Sequence, residues 1–187
     1  MRSRRFRARS TISPAAQSDD AMRAAAMSAV NPNARFLLAH PAHFLALGFG
    51  AGLAPFAPGT FGTLVAIPIA VVLHAWGDAA FAIAIVLGFA IGVWASGVTG
   101  RALGDEDHGA IVWDEVVAFL LVLFFVGGDW RRTAFAFVLF RAFDILKPPP
   151  IRQLERRLSG GLGVMADDIG AAAYTLVVFA LVQRVIG

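Results

Sequence analysis

Residues 79–100 read AAFAIAIVLGFAIGVWASGVTG, a stretch without a single charged side chain. A helix that crosses a bilayer needs about 20 mostly apolar residues, and this stretch is long enough. Four further apolar runs surround it. They cover residues 61–76, interrupted by Pro68, and 109–128, with Asp114 and Glu115 inside. They continue with 133–146, which contains Arg141 and Asp144, and with 164–186, which has Asp167 and Asp168 near its start. Of the 187 residues, 58% are hydrophobic and only 16% charged, against about half and about a quarter in soluble domains. The loops carry too few charges to solvate a water-soluble bundle. The predicted fold is therefore all-α, a polytopic membrane bundle of four to five membrane helices. Residues 44–53 are apolar and Gly-rich but too short to span, and read as a re-entrant or interfacial piece.

Outside the bundle the composition changes. Residues 1–35 hold Arg2, Arg4, Arg5, Arg7, Arg9, Arg23 and Arg35 among Ser and Ala, with few large apolar residues. They read as a disordered basic tail preceding a membrane-embedded domain over residues 36–187. A transit peptide has a similar composition, but Asp19 and Asp20 count against one. The complete lack of cysteine excludes thiol catalysis, Cys-ligated zinc and iron–sulfur clusters. The net charge of +3 does not point to nucleic acid. The basic residues flank apolar segments, where an anionic membrane surface is the better partner. With five spans, the tail, Arg101, Lys147, Arg152, Arg156 and Arg157 share one side, opposite Arg131, Arg132 and Arg184. The excess places the tail side in the cytoplasm. Nothing in the sequence fixes an oligomeric state.

The same topology brings every polar cluster to one membrane face. Asp105-Glu106-Asp107-His108 precedes Asp114-Glu115 at the head of an apolar run. A carboxylate in the bilayer centre costs about 2.5–3.5 kcal/mol on insertion scales, so such acids face the bundle interior, pair, or bind ions. His108 is either a ligand or a proton carrier. Arg141, Asp144 and Lys147 recur every three residues and share a helix face. They form either a salt-bridge ladder or a phosphate-binding pair, with Asp144 as orienter or metal ligand. Gly160-Gly161-Leu162-Gly163 reads as a glycine loop entering a helix whose first turn holds Asp167 and Asp168. Such loops either turn tightly or cradle phosphate through backbone N–H groups. In Pro58-Gly59-Thr60-Phe61-Gly62-Thr63, either Thr60 or Thr63 caps a helix, or Thr60 contacts phosphate. Clustered oxygen ligands without cysteine suit a hard cation, Mg2+ or Mn2+. A cation is also needed if so many carboxylates are to admit an anionic substrate.

Four motifs in this order resemble the phosphatidylglycerophosphatase A family. They are Gly48-Phe49-Gly50-Ala51-Gly52-Leu53 with Ala57-Pro58-Gly59-Thr60; Asp107-His108-Gly109-Ala110-Ile111-Val112-Trp113-Asp114-Glu115; Phe140-Arg141-Ala142-Phe143-Asp144-Ile145-Leu146-Lys147-Pro148; and Gly160 to Asp168. The resemblance covers the chain from about residue 40 to its end. It implies a multi-pass enzyme of the bacterial inner membrane, with its active site facing the cytoplasm. Such an enzyme removes the terminal phosphate of phosphatidylglycerophosphate, with Mg2+, to give phosphatidylglycerol. The catalytic set would be Asp107, His108, Asp114, Glu115 and Asp168. Asp114, Glu115, Asp144, Asp167 and Asp168 would hold metal, and Thr60, Arg141 and Lys147 would hold substrate. Two rival classes also bury acids in membranes. A phosphatidyl-group transferase would carry a D-G-x-x-A-R run, which this sequence lacks. A transporter would place its acids near the bilayer midplane, whereas these lie near the ends of the apolar runs.

Overall fold

The computed structural model describes residues 31–149, 151 and 158–186, and within them every regular element is helical. Residues 1–30, which hold most of the expected basic tail, lie outside this range, as do Arg152, Arg156 and Arg157. Two short helices come first, α1 (Ala34–Ala39) and α2 (Pro41–Ala46). Asn33 caps α1, its side chain accepting from the N–H of Phe36 at 3.0 Å. His40 caps α2 in the same way through Nδ1, with Pro41 in the first helical position. A 3-10 segment, Gly48–Leu53, follows and is kinked by positive φ at Phe49 and Gly50. Residues expected to form a re-entrant or interfacial piece thus fold as the end of α2 plus this kinked turn.

Five longer helices form the bundle: α3 (Pro58–Trp76), α4 (Asp78–Leu103), α5 (Trp113–Val126), α6 (Trp130–Leu146) and α7 (Gly160–Ile186). By length and composition, α3, α4 and α7 are apolar enough to cross a membrane. Their surfaces show lipid-compatible side chains such as Val71, Ile83, Val86 and Val177, all more than half exposed. In contrast, α5 has 14 residues and rises about 21 Å at 1.5 Å per residue, less than the hydrocarbon thickness of about 30 Å. It is apolar on nearly every face because most of it is buried, with Phe125 near its end left exposed. Val116, Val117, Ala118, Phe119 and Val122 have no exposed surface, and α5 packs on α3, α4, α6 and α7. An apolar run therefore marks a central core helix here as readily as a lipid-facing one. The 17-residue α6 packs chiefly on α7.

The glycines at the start of α7 differ from expectation. Gly160–Gly163 are not a loop before the helix but its first turn, and Asp167 and Asp168 lie about two turns further in. The reason is a close helix crossing. A Cβ on Gly161 would lie 1.9 Å from the carbonyl oxygen of Val93 on α4. Only glycine lets the two backbones meet there, as small residues do in membrane helix pairs.

Candidate metal and phosphate site

Because the chain runs up and down, the starts of α3, α5 and α7 and the ends of α4 and α6 lie at one end of the bundle. The acidic and basic motifs meet there. Asp114 and Glu115 are in the first turn of α5, whose start is tied to α4 by the indole N–H of Trp113 donating to the Gly88 carbonyl at 2.9 Å. From α7, Asp168 reaches the same point. One carboxylate oxygen each from Asp114, Glu115 and Asp168 lies within 4.8 Å of the others. Asp114 and Asp168 are buried, at 7% and 4% exposure.

Arg141 approaches from α6. Its Nη1 lies 3.6 Å from Oε1 of Glu115 and pairs with Asp144 one turn on. The same nitrogen donates to the Thr63 hydroxyl at 3.4 Å. Thr63 in turn donates to the Gly59 carbonyl, one turn earlier in α3, at 2.8 Å. Gly59 forms the floor under this pair. A Cβ there would lie 2.1 Å from Oε1 of Glu115 and 3.1 Å from a guanidinium nitrogen of Arg141. Lys147 ends α6 in a left-handed conformation, φ 41°, and its ammonium donates to Asp167 at 2.6 Å. A non-glycine residue in that region is strained, and the strain sits where the backbone must turn the ammonium towards α7.

The carboxylates fit a hard cation. Oδ1 of Asp114, Oε2 of Glu115 and Oδ2 of Asp168 are buried without a hydrogen-bond partner. Buried charges normally pair or coordinate metal, and three converging carboxylate oxygens are the donor set of a divalent ion such as Mg2+ or Mn2+. Beside the trio, Asp144 and Asp167 carry ion pairs to Arg141 and Lys147. Also buried and unpaired is Nε of Arg141, a donor beside the carboxylates.

Other expected site residues are placed differently. Asp107 is exposed and His108 half-buried, in the turn between α4 and α5. Nδ1 of His108 accepts from the N–H of Ala110 at 3.1 Å, which leaves Nε2 to carry the proton of a neutral ring. Asp107 lines a small pocket of mixed character with Glu106, Leu158, Val164 and Asp167, so the turn borders the site without joining the trio. Thr60 is half-buried in the first turn of α3, and its N–H bonds to the Ala57 carbonyl. Its neighbour Thr63, weighed in the sequence only as a cap, is the threonine that meets Arg141. Glu106 is a second residue the sequence does not single out. Its Oε2 accepts from the N–H of Gly160 at 2.8 Å and caps α7. The signal for Thr63 is its spacing of four from Gly59. Glu106 carries no local signal, since its partner is 54 residues away.

Fold and site together define a helical membrane protein with a carboxylate centre at one end of its bundle. A sequence profile of phosphatidylglycerophosphatase A matches residues 44–183. Phosphatidylglycerophosphatase A of Escherichia coli K12 is 41% identical over 138 residues, 73% of this chain and 80% of that protein. Its counterpart from Haemophilus influenzae is 42% identical over 159 residues, 84% of this chain and 98% of its own length. A Bacteroides thetaiotaomicron protein described as a putative phosphatidylinositol-3-phosphatase is 39% identical over 152 residues, 75% of this chain and 92% of that one. No solved structure matches the chain. The chain belongs to the phosphatidylglycerophosphatase A family.

Proposed function

We propose that this chain hydrolyses the terminal phosphomonoester of phosphatidylglycerophosphate, giving phosphatidylglycerol and inorganic phosphate, and that it requires Mg2+. The carrying observation is the trio Asp114, Glu115 and Asp168, whose converging oxygens lie beside the guanidinium of Arg141. Family membership supports the lipid phosphomonoester as substrate.

Asp114, Glu115 and Asp168 would hold the cation, with Asp144 and Asp167 close by. When bound, the cation would supply positive charge against the phosphoryl oxygens and would acidify water. Arg141 and Lys147 offset the charge on the phosphoryl group as it transfers. Nε of Arg141 is a free donor for a phosphate oxygen, while Thr63 and Asp144 hold the guanidinium in place. Water brings oxygen to phosphorus, the bond to the glycerol oxygen breaks, and that oxygen takes up a proton. Asp107 or His108, at the rim, carries protons to and from the site. Thr60, next to Gly59 in the first turn of α3, would be a further phosphate contact. The glycerol and acyl chains stay in the bilayer, with the site at the cytoplasmic headgroup level of the inner membrane. That orientation follows from the excess of Arg and Lys on the tail side.

The test is release of inorganic phosphate by purified protein in detergent micelles. Phosphatidylglycerophosphate, phosphatidate and phosphatidylinositol 3-phosphate would be compared at equal surface concentration. Preference for the first supports the proposal. Equal or better turnover of the inositol lipid would overturn the substrate assignment, and phosphate release from none would overturn the activity.

A further inference from the structure

Residues 36–57 contain no Asp, Glu, Lys or Arg. They make up nearly all of α1, α2 and the 3-10 turn, each of them too short to cross a bilayer. Yet Leu38, Phe44, Phe49 and Phe56 are 40–75% exposed. In water, an uncharged segment with so much apolar surface would be an association patch. What covers it follows from α4. The outward residues Ile83, Val86, Leu87, Ile91 and Trp94 are all exposed, and their spacing of three and four places them on one face. That stripe stops at Trp94. One turn further on the same face, Val98 packs against the cluster that holds Ala42 and Ala46 of α2, and Thr99 shares a 3.0 Å hydrogen bond with His43. The rings of His40 and Trp94 lie 6.1 Å apart where the two surfaces meet. Thus α2 overlies the face of α4 that, one turn lower, looks into lipid, and its own outer residues carry that face on.

The depth agrees. Trp94 lies about 24 Å and Thr99 about 32 Å along α4 from Asp78, at 1.5 Å per residue, and Asp78 is the acid of the first turn at the far end. Hydrocarbon about 30 Å thick that begins at Asp78 therefore ends between Trp94 and Thr99, where α2 lies. The same element bears on the site. The Ala46 carbonyl accepts from the N–H of Val112 at 2.8 Å. A Cβ on Gly52 would lie 1.9 Å from the carbonyl oxygen of Ala110, and one on Gly48 2.8 Å from a methyl of Val112. The Phe49 ring meets Trp113 edge-on, with centroids 5.6 Å apart. Phe49 also keeps its half-exposed ring at φ 60°, a strained conformation for a non-glycine residue. The turn is thereby fastened to residues 110–113, immediately ahead of Asp114 and Glu115.

We propose that α1, α2 and the 3-10 turn form an interfacial membrane anchor. Leu38, Phe44, Phe49 and Phe56 lie among the acyl chains just below the headgroups of the leaflet on the site's side, and the anchor sets the depth of the first turn of α5. Its partner is the bilayer surface. The consequence for catalysis rests on the lipid phosphatase function above: a phosphomonoester whose lipid stays in the leaflet is met by the carboxylates at a fixed height.

The chain has no cysteine, so one introduced thiol is the sole labelling site. Leu38→Cys, Phe44→Cys and Phe49→Cys, each in the full-length protein, carry a bimane fluorophore in phosphatidylcholine nanodiscs. Ile83→Cys serves as the lipid reference and Asp105→Cys as the water reference. The quenchers are phosphatidylcholine with a nitroxide high on its acyl chain, and aqueous iodide. Labels at 38, 44 and 49 are expected to be quenched by the nitroxide lipid as at 83 and shielded from iodide, with the reverse at 105. Iodide quenching at 38 and 44 as strong as at 105 would put the element in water and overturn the proposal. Shielding from both quenchers would overturn it too, since protein, either the tail or a second copy, would then cover the face. In parallel, Phe44→Glu is expected to slow phosphate release from phosphatidylglycerophosphate in nanodiscs roughly tenfold, less than the full cost of a charge at the bilayer centre. Turnover of a short-chain, water-soluble analogue should be unchanged. Equal loss on both substrates would overturn the role in setting depth. The labels report depth without turnover, so a wild type that releases no phosphate would count against the lipid phosphatase function and not against the anchor.

Discussion

Gly59 and Glu115 approach so closely that a Cβ on the glycine would lie 2.1 Å from Oε1 of the glutamate. The start of α3 is thereby pressed against the first turn of α5, and the smallest side chain is required for reasons of space. Gly59→Ala is expected to push Glu115 and Arg141 apart and to lower turnover roughly 100-fold, at the upper end of the effect of disturbing residues that support metal ligands. Gly109→Ala has nothing within 4 Å of the added carbon and should act as wild type. Initial rates of phosphate release on the two purified variants decide the matter.

Thr63 joins the Gly59 carbonyl to Arg141 through a single hydroxyl. Thr63→Val keeps the shape and removes that hydroxyl, leaving the guanidinium short of an acceptor. Turnover should fall roughly 10- to 100-fold while thermal unfolding in detergent shows the protein still folded. Thr63→Ser should recover most of the loss. If valine and serine behave alike, the hydroxyl is not what places Arg141.

Two acids of the site, Asp114 and Asp144, should separate by function. Asp114 belongs to the converging trio, whereas Asp144 is paired with Arg141. Asp114→Asn is expected to abolish binding of Mn2+, followed by electron paramagnetic resonance of the free ion. Asp144→Asn should still bind Mn2+ but turn over slowly, because its arginine partner is no longer held. Retained Mn2+ binding in Asp114→Asn would remove that residue from the ligand set.

Glu106 caps α7 from a turn that is distant in sequence. Glu106→Ala should cost about 1 kcal/mol, as helix caps do. Hydrogen exchange should quicken at residues 160–163 with little change in α5. No change in exchange there would mean that the cap does not hold the start of α7.

How much of this is legible in the sequence depends on the kind of signal. Asp114, Glu115 and Asp168 stand out because acids within apolar runs need a partner, and their convergence follows from alternating helix direction. The all-helical class is legible for the same reason, since long charge-free runs leave no place for strand edges in a bilayer. Span number is less legible. The run at 109–128 looks like a membrane helix, yet the helix within it is a short core element packed against four other helices. Apolar composition does not distinguish lipid from protein as the surroundings. The glycines at 160–163 look like a turn because glycine weakens helices, but the contact with Val93 that requires them involves a residue about 70 positions away. Likewise Thr60 and Thr63 read equally well as caps, yet Ala57 holds the cap position of α3 with no side-chain bond, and only the position of Arg141 distinguishes the two threonines.

The most direct test of the carboxylate centre is the Mg2+ dependence of phosphate release from phosphatidylglycerophosphate. Wild type and Asp168→Asn would be stripped with EDTA and then titrated with Mg2+. Wild type should lose its activity on stripping and regain it as Mg2+ returns, while Asp168→Asn should stay inactive across the titration and remain folded. Full activity in the stripped wild type, or a normal titration in Asp168→Asn, would contradict a divalent cation held by Asp114, Glu115 and Asp168.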